Sequence, residues 1–175
     1  FNVKKLAFGA ALLAASAVCF AAPKVEIVTS EGNIVVNLNE KAAPTTVANF
    51  VKYANEGFYN GTIFHRVINN FMIQGGGFDR NLHQKSTHAP IKLEDKNGLK
   101  NTVGTIAMAR TNNPDSATSQ FFINLKDNDF LNGTSTKDGY AVFGEVVSGM
   151  DVVRKIGRAP TGSKGFMDDV PVRPV

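Results

Sequence analysis

The sequence predicts a mainly β protein, with an antiparallel sheet closed into a barrel and two isolated helices. Short β-type runs alternate with turn residues along the chain from Lys24 onward. Only two segments have helical periodicity, and the strand–helix–strand alternation of parallel α/β folds does not occur. With 175 residues, 43% of them hydrophobic, the chain is long enough for one domain with a substantial core.

The domain opens with a predicted β-hairpin and one amphipathic helix. VEIVTS and NIVVNL at residues 25–38 flank a turn that contains Gly32. The next segment, residues 44–55, has Pro44 in a position suited to a first helical turn and is followed by Gly57, which can end the helix. Its apolar residues recur at helical spacing: Val47, Phe50, Val51 and Ala54.

Five more strands and a second helix are expected further along the chain. The second helix begins near Ser148, the predicted N-cap, and carries Met150, Val153 and Ile156. Long polar or glycine-containing loops are predicted at residues 77–101 and 127–139. The additional strands are TIFHRVI, FMIQG, VGTIAMA, SQFFINL and YAVFGEVV.

Residues 1–21 have the features of a secretory signal peptide. Lys4 and Lys5 precede a run of small and apolar residues that is short and alanine-rich for a membrane span. Cleavage after Ala21 leaves small side chains before the cut, whereas cleavage after Ala22 would place a proline at the new N-terminus. A buried helix or a membrane anchor is the alternative. The interpretation predicts a periplasmic mature domain at residues 22–175, without stable membrane association.

Composition argues against several functional classes. The only cysteine, Cys19, lies in the predicted signal, so the mature domain would have no thiol chemistry. Removing the signal also removes two lysines and no acidic residue, which leaves 17 basic and 15 acidic side chains. This balance, with scattered basic residues, argues against a nucleic-acid partner. Three histidines and no metal-binding motif argue against a metal site.

Strand alternation identifies two strands with a mixed polar and apolar face. In SQFFINL, Gln120, Phe122 and Asn124 share one face, opposite the apolar set Phe121, Ile123 and Leu125. In FMIQ, alternation likewise pairs Met72 with Gln74. An aromatic residue beside amides suits a ligand-binding wall, although a covering helix or loop would explain Phe122 equally well.

Two charged or titratable residues lie inside the apolar run FHRVI. Arg66 is interpreted either as a rim residue with its stem on apolar surface or as a functional cation. His65 is expected to be a satisfied core histidine. The glycines at 75–77 are followed by no phosphate-binding motif, and they predict a turn or bulge that allows close backbone approach. No nucleophile motif is present in the sequence.

Three long segments resemble the signature segments of the cyclophilin-type peptidyl-prolyl cis-trans isomerases. They are FHRVINNFMIQGG, MARTNNPDSATSQFFINL, and FLNG with YAVFGEVV. The resemblance extends from Lys24 to Val175. Together with the predicted signal, it makes the chain look like a periplasmic bacterial member. It implies an eight-stranded antiparallel barrel capped by two α-helices, no cofactor, and X-Pro isomerisation in exported proteins that assists their folding.

The resemblance also implies the site residues. Catalytic roles fall to Arg66, Gln74 and Phe71, with Arg66 stabilising the twisted amide and Gln74 bound to substrate backbone. The partners implied are proline-containing, unfolded or partly folded polypeptides, bound by a monomer. The implied substrate-binding residues are Met72, Ala109, Arg110, Gln120, Phe122, Phe130, Leu131 and Tyr140.

Four features depart from the family pattern. Many eukaryotic members have Trp, His and Asn where Phe130, Tyr140 and Arg110 stand, and the missing indole implies weak cyclosporin binding. Members also continue for about ten residues beyond VPVRPV to form the last strand. We therefore expect a C-terminally truncated domain whose opening strand has an unpaired edge.

Two other function classes compete with isomerisation. A proline-segment binding module or holdase chaperone could use the same groove without turnover, but it would not need Arg66. A hydrolase would require a nucleophile that no sequence motif provides.

Overall fold

The computed structural model describes residues 1–6 and 23–175. Over these residues the chain forms ten strands, two α-helices and one short 3₁₀ helix, Asp129–Leu131. The helices are α1 (Pro44–Asn55) and α2 (Met150–Gly157). The strands are β1 (Asn2–Lys5), β2 (Lys24–Thr29), β3 (Gly32–Leu38), β4 (Arg66–Ile68), β5 (Met72–Gly75), β6 (Thr105–Met108), β7 (Phe121–Asn124), β8 (Val142–Ser148), β9 (Thr161–Lys164) and β10 (Met167–Pro171).

Eight strands form one curled antiparallel sheet, a half-barrel, in the order β1-β2-β3-β8-β6-β7-β5-β4. The mainly β prediction with two helices is confirmed. A closed barrel is not, because no ladder joins the edge strands β1 and β4 over the described residues. The remaining strands, β9 and β10, pair as a separate hairpin that the sequence patterns did not predict.

The opening strand of the domain, β2, is paired on both sides. β1 runs antiparallel to it, with Val3 opposite Ile27, and the ring of Phe1 lies 4.8 Å from that of Phe64. The expectation of an unpaired β2 edge is therefore wrong in this structure, since residues assigned to the signal occupy it. The cleavage site predicted after Ala21 lies outside the described residues.

The main core lies between the inner face of the sheet and the two helices. α1 buries Val47, Phe50 and Ala54 as predicted, together with Thr46 and Tyr53. The ring of Phe50 lies 5.4 Å from that of Phe121 in an edge-to-face arrangement that aromatic pairs favour. The exposed start of α1 is capped by Glu94, whose carboxylate accepts the backbone N–H of Thr46 at 2.6 Å.

The predicted start of the second helix is one residue wrong. Ser148 ends β8, and the cap position is Gly149, which makes no side-chain capping bond. Gly149 has φ +87°, and a Cβ there would lie 2.3 Å from the carbonyl oxygen of Asn33. A glycine is needed at this tight approach, so backbone sterics override the serine's capping preference.

The triple glycine begins at the last residue of β5, where neighbouring chain segments pack closely. A Cβ on Gly75 would lie 2.8 Å from the carbonyl oxygen of Ile63. Gly76 combines φ +88° with a similar overlap against the rings of Phe121 and Tyr59, both at 2.9 Å. The predicted close approach of backbone is thus present at both positions.

We predict that Gly76→Ala destabilises the fold more than Gly61→Ala. Gly61 also has positive φ, +79°, but no neighbouring atom lies within 4 Å of the point that a Cβ would occupy. The Gly61 variant should therefore lose about 1 kcal/mol of unfolding free energy to backbone strain alone. At Gly76 the added methyl group would also overlap neighbouring side chains, and this overpacking should increase the loss of unfolding free energy by at least about 1 kcal/mol. Urea denaturation measures both, and equal losses would contradict this packing.

Candidate active site

A second apolar cluster lies on the outer face of the sheet, separate from the main core. β5 and β7 supply Met72 and Phe122 to it, while Ile73 and Ile123 from the same strands belong to the main core. Strand alternation therefore distributes each strand between two clusters, as predicted. The outer cluster consists of the buried residues Met72, Ala107, Phe122, Leu131 and Val142, with half-buried Ile68, Phe71, Leu99, Ala109 and Tyr140 packed against them.

A chain of three polar side chains lies on the adjoining strands. The β4–β5 register places Arg66 opposite Gln74, and the β5–β7 register places Gln74 opposite Phe122. Arg66 Nη1 donates to Gln74 Oε1 at 3.4 Å, and Gln74 Nε2 donates to Gln120 Oε1 at 3.0 Å. The first bond is long and the second well formed. The exposed guanidinium thus has further N–H donors available.

Aromatic rings form two sides of the outer cluster. Phe71 stacks on Phe130 at 5.7 Å, and Phe130 remains 61% exposed. On the other side, Tyr140 meets Phe122 edge to face, also at 5.7 Å. The cluster is therefore an apolar patch flanked by aromatic rings, one of which is largely exposed.

Arg110 holds the backbone beside Tyr140. Its Nε and Nη2 both donate to the Gly139 carbonyl, at 3.1 and 2.8 Å, and its guanidinium lies 4.6 Å from the Tyr140 ring centroid. The Gly139 N–H in turn donates to a carboxylate oxygen of Asp95 at 2.7 Å. These contacts fix the end of a long polar loop beside the outer cluster.

The structure brings the residues selected from sequence into one continuous surface. Arg66, Gln74 and Gln120 form the polar chain, and Met72, Phe122 and Leu131 lie in the outer cluster with Phe71, Ala109 and Tyr140 beside them. Phe130 joins through its stack on Phe71, and Arg110 through Tyr140. Their catalytic and substrate-binding roles stay predictions.

Sequence reasoning assigned Asn124 to a strand face but did not predict its burial or its partners. Alternation put Asn124 on the mixed face with Gln120 and Phe122, yet it is fully buried and bonded inside the protein. Asn101 and Asn128, its hydrogen-bond partners, lie in irregular segments where no periodicity signals burial. Alternation along a strand identifies a face, but it does not identify what covers that face.

His65 is buried beside Arg66 without a partner for one ring nitrogen. Its ring centroid lies 4.6 Å from that of Phe78, and no hydrogen bond to Nδ1 is formed within the described part of the chain. The expectation of a core histidine is met, but that of a satisfied one is wrong. Burial, and secondarily the Arg66 charge, lowers the His65 pKa to about 4 from its usual 6.5. The imidazole is therefore neutral at neutral pH.

The described residues contain no grouping suited to a bound metal. Within residues 1–6 and 23–175, no three His, Cys, Asp or Glu side chains come close enough to share an ion. The helices described in these ranges are also too short or too polar to span a bilayer.

We predict that His65 makes stability fall as the pH drops from 6.5 to 4. The unfolded chain takes up a proton near pH 6.5, whereas the folded chain does so only near pH 4, because its lowered pKa keeps the ring neutral. The unfolding free energy should drop by about 3 kcal/mol at most across this window. His65→Gln should flatten that part of the profile. His83→Gln, which replaces a side chain that is 80% exposed, should leave the profile as it is. Identical profiles for the unmodified protein and both variants would contradict the role assigned to His65.

Comparisons with known proteins show which family this chain resembles. A family model described as cyclophilin type peptidyl-prolyl cis-trans isomerase/CLD matches residues 24–175. A peptidyl-prolyl cis-trans isomerase of Acinetobacter baylyi is 56% identical over 173 residues, covering 99% of this chain and 92% of the relative. Peptidyl-prolyl cis-trans isomerase B of Escherichia coli is 61% identical over 146 residues, covering 82% and 89% respectively.

A solved structure shows the same fold. The cyclophilin type isomerase of Cryptosporidium parvum, crystallised in the presence of the dipeptide Ala-Pro, has a TM-score of 0.71 and 25% sequence identity. The match covers 86% of this chain and 92% of that one. The family model spans most of the chain, and both bacterial relatives exceed half identity. The chain therefore belongs to the cyclophilin-type peptidyl-prolyl cis-trans isomerases, enzymes that interconvert the cis and trans forms of X-Pro peptide bonds.

Proposed function

We propose that the outer cluster binds the substrate proline and that Arg66 stabilises the twisted X-Pro amide. The observation that supports this most directly is the exposed guanidinium of Arg66, joined through Gln74 to Gln120 beside the apolar outer cluster. A related isomerase was crystallised in the presence of Ala-Pro, and a dipeptide of that kind fits the same chemistry. The substrate class proposed here is a polypeptide segment that contains proline.

The isomerisation of an X-Pro bond breaks no bond to carbon. An X-Pro amide rotates over a barrier of about 18–20 kcal/mol, because resonance is lost when the bond twists. In the twisted state the proline nitrogen regains its lone pair and becomes a hydrogen-bond acceptor. A nucleophile is therefore unnecessary, and a well-placed donor lowers the barrier.

Arg66 suits the role of that donor. A guanidinium stays charged at any working pH, and Arg66 commits only one long hydrogen bond to Gln74. A bond from Arg66 to the proline nitrogen forms only in the twisted state, so it accelerates the reaction instead of tightening substrate binding. Gln74 then holds the guanidinium and remains available to substrate backbone.

Energetics require the apolar pocket as well as Arg66. A 10⁵-fold acceleration corresponds to about 7 kcal/mol, and one charged hydrogen bond contributes about 1.5–3 kcal/mol. The remainder must come from a dry, well-oriented environment for the ring. Met72, Phe122 and Leu131, all at most 9% exposed, supply such an environment, with Phe71 beside them.

We further propose that the enzyme acts in the periplasm and assists folding of exported proteins. Support comes from Lys4 and Lys5 before an apolar, alanine-rich run, the pattern of a signal peptide. N-terminal sequencing of protein from the periplasmic fraction should start at Ala22, and periplasmic protein that retains Lys4 and Lys5 would contradict signal removal.

Two further proposals rest on the sequence. We propose that the protein binds cyclosporin weakly, because the side chain of Phe130 has no N–H donor, and that it is a monomer. Calorimetric titration tests the weak binding of cyclosporin, which nanomolar affinity would contradict. Light scattering tests the monomeric state, which the mass of a dimer would contradict.

We predict that Arg66→Ala lowers kcat/KM at least tenfold while the protein stays folded. The variant loses the donor that acts only in the twisted state, so the loss should appear mainly in kcat. The measurement is NMR exchange of an Ala-Pro-Phe peptide, with circular dichroism to check folding.

Arg80→Ala is the matched control, since Arg80 is an exposed arginine in the loop after β5. It should turn over substrate at the rate of the unmodified protein. Arg66→Ala with near-normal turnover would refute the proposed role of Arg66.

A further inference from the structure

Three asparagines form a buried amide network beneath the outer cluster. Asn101, Asn124 and Asn128 are 1%, 0% and 3% exposed. Asn128 Nδ2 donates to Asn124 Oδ1 at 2.9 Å, and Asn124 Nδ2 donates to Asn101 Oδ1 at 3.0 Å. We call this set the asparagine triad. Each link uses the acceptor of one amide and the donor of the next, which fixes all three side-chain orientations.

The outer ends of the triad reach backbone carbonyls of the pocket walls. At one end, Asn128 Nδ2 also donates to the Phe71 carbonyl at 2.9 Å. At the other end, Asn101 Nδ2 lies 3.2 Å from the Leu131 carbonyl and 3.3 Å from the Tyr140 carbonyl. None of the three wall residues lies within a β-ladder, although the Tyr140 N–H donates to the Leu131 carbonyl and the Leu125 N–H to the Phe71 carbonyl, both at 2.9 Å. The triad adds the side-chain link between the Phe71 end and the Leu131–Tyr140 end of the walls.

Two further side-chain bonds of the triad lead elsewhere, and one of them is from Asn101 Nδ2 to Asn132 Oδ1 at 3.1 Å. Asn124 Nδ2 donates to Thr105 Oγ1 at 2.9 Å, and the Thr105 hydroxyl donates to the Thr102 carbonyl at 2.7 Å. Neither threonine belongs to the outer cluster. This branch leads away from the walls, and it therefore offers an internal control.

We propose that Asn101, Asn124 and Asn128 are positioning residues that set the spacing of the pocket walls around the substrate proline. The proposal rests on the proposed role of Phe71, Leu131 and Tyr140 as substrate-binding residues. Buried amides have strict hydrogen-bond geometry, and leaving one unpaired is unfavourable. The wall carbonyls consequently stay where the triad places them.

The triad should act on substrate binding and not on the chemical step. No described hydrogen bond joins it to Arg66, Gln74 or Gln120. Met72 and Phe122, which keep the site dry, are held by the β5–β7 ladder and not by the triad. Displaced walls therefore leave the surroundings of the twisted amide in place, and they weaken contact with the proline ring in the planar and the twisted state alike. A loss of such uniform binding raises KM and leaves kcat unchanged.

The test is Asn128→Asp, with Asn128→Ala as a second variant without added charge. An ionised aspartate has the shape of asparagine but only accepts hydrogen bonds, so it loses the bonds to both the Phe71 carbonyl and Asn124. We expect KM for the Ala-Pro-Phe peptide to rise at least fivefold, with kcat within twofold of the unmodified enzyme. NMR exchange measures both parameters, under conditions where circular dichroism shows folded protein.

Two controls separate positioning from loss of stability. Thr105→Val removes the side branch and should lower the melting temperature without raising KM. Asn81→Asp makes the same chemical change at an exposed asparagine and should change neither. An unchanged KM in folded Asn128 variants, or an equal rise of KM in Thr105→Val, would overturn the proposal.

The outcomes also distinguish this proposal from the proposed catalytic role. If Arg66→Ala remains active, the catalytic assignment fails whatever the triad variants do. If Arg66→Ala is impaired and the folded Asn128 variants keep a normal KM, only the triad proposal fails.

Discussion

The antiparallel ladder between β5 and β7 is the constraint on which both the core and the site depend. Each strand turns alternate side chains to opposite faces, so fixing Ile73 and Ile123 in the main core also fixes Met72 and Phe122 on the outer face. A one-residue slip would exchange the two sets. The close packing at the triple glycine holds this register, because a slip would bring a side chain into space that only hydrogen can fill.

This arrangement explains why the site contains so little titratable chemistry. In the proposed mechanism, rotation about an X-Pro bond needs a dry apolar environment and one donor, the roles proposed for the outer cluster and Arg66. Buried His65 is neutral at neutral pH and adds no second charge beside the guanidinium. Polar groups beneath the pocket are amides, which are directional and do not titrate. The electrostatics around Arg66 should therefore change little near neutral pH.

Sequence alone predicted the parts of the structure that depend on local pattern. Alternation paired Met72 with Gln74 and Gln120 with Phe122, and helical spacing located α1. Prediction from the sequence failed where contacts between residues distant in the chain determine the structure. The pairing of β1 with β2 joins residues twenty or more positions apart, and the start of α2 depends on the approach of Gly149 to β3.

The residues of the candidate site also differ in whether local pattern could predict them. The motif residues on strands could be selected from the sequence, whereas the asparagine triad could not, because Asn101 and Asn128 lie in irregular segments. Polar residues in such segments are usually exposed, and only the folded chain shows that these are buried beneath the walls. The burial of His65 without a partner for Nδ1 likewise depends on what packs around it.

The central claim is that the proline ring occupies the outer cluster while its bond rotates. The most direct measurement is an intermolecular NOE experiment on protein with ¹³C-labelled methionine methyl groups, mixed with an exchanging Ala-Pro-Phe peptide. Met72 lies in the outer cluster and Met108 in the main core, so the chain carries its own control. The account predicts contacts from the proline ring to the Met72 methyl and none to that of Met108. Catalysed exchange without contact to Met72 would contradict it.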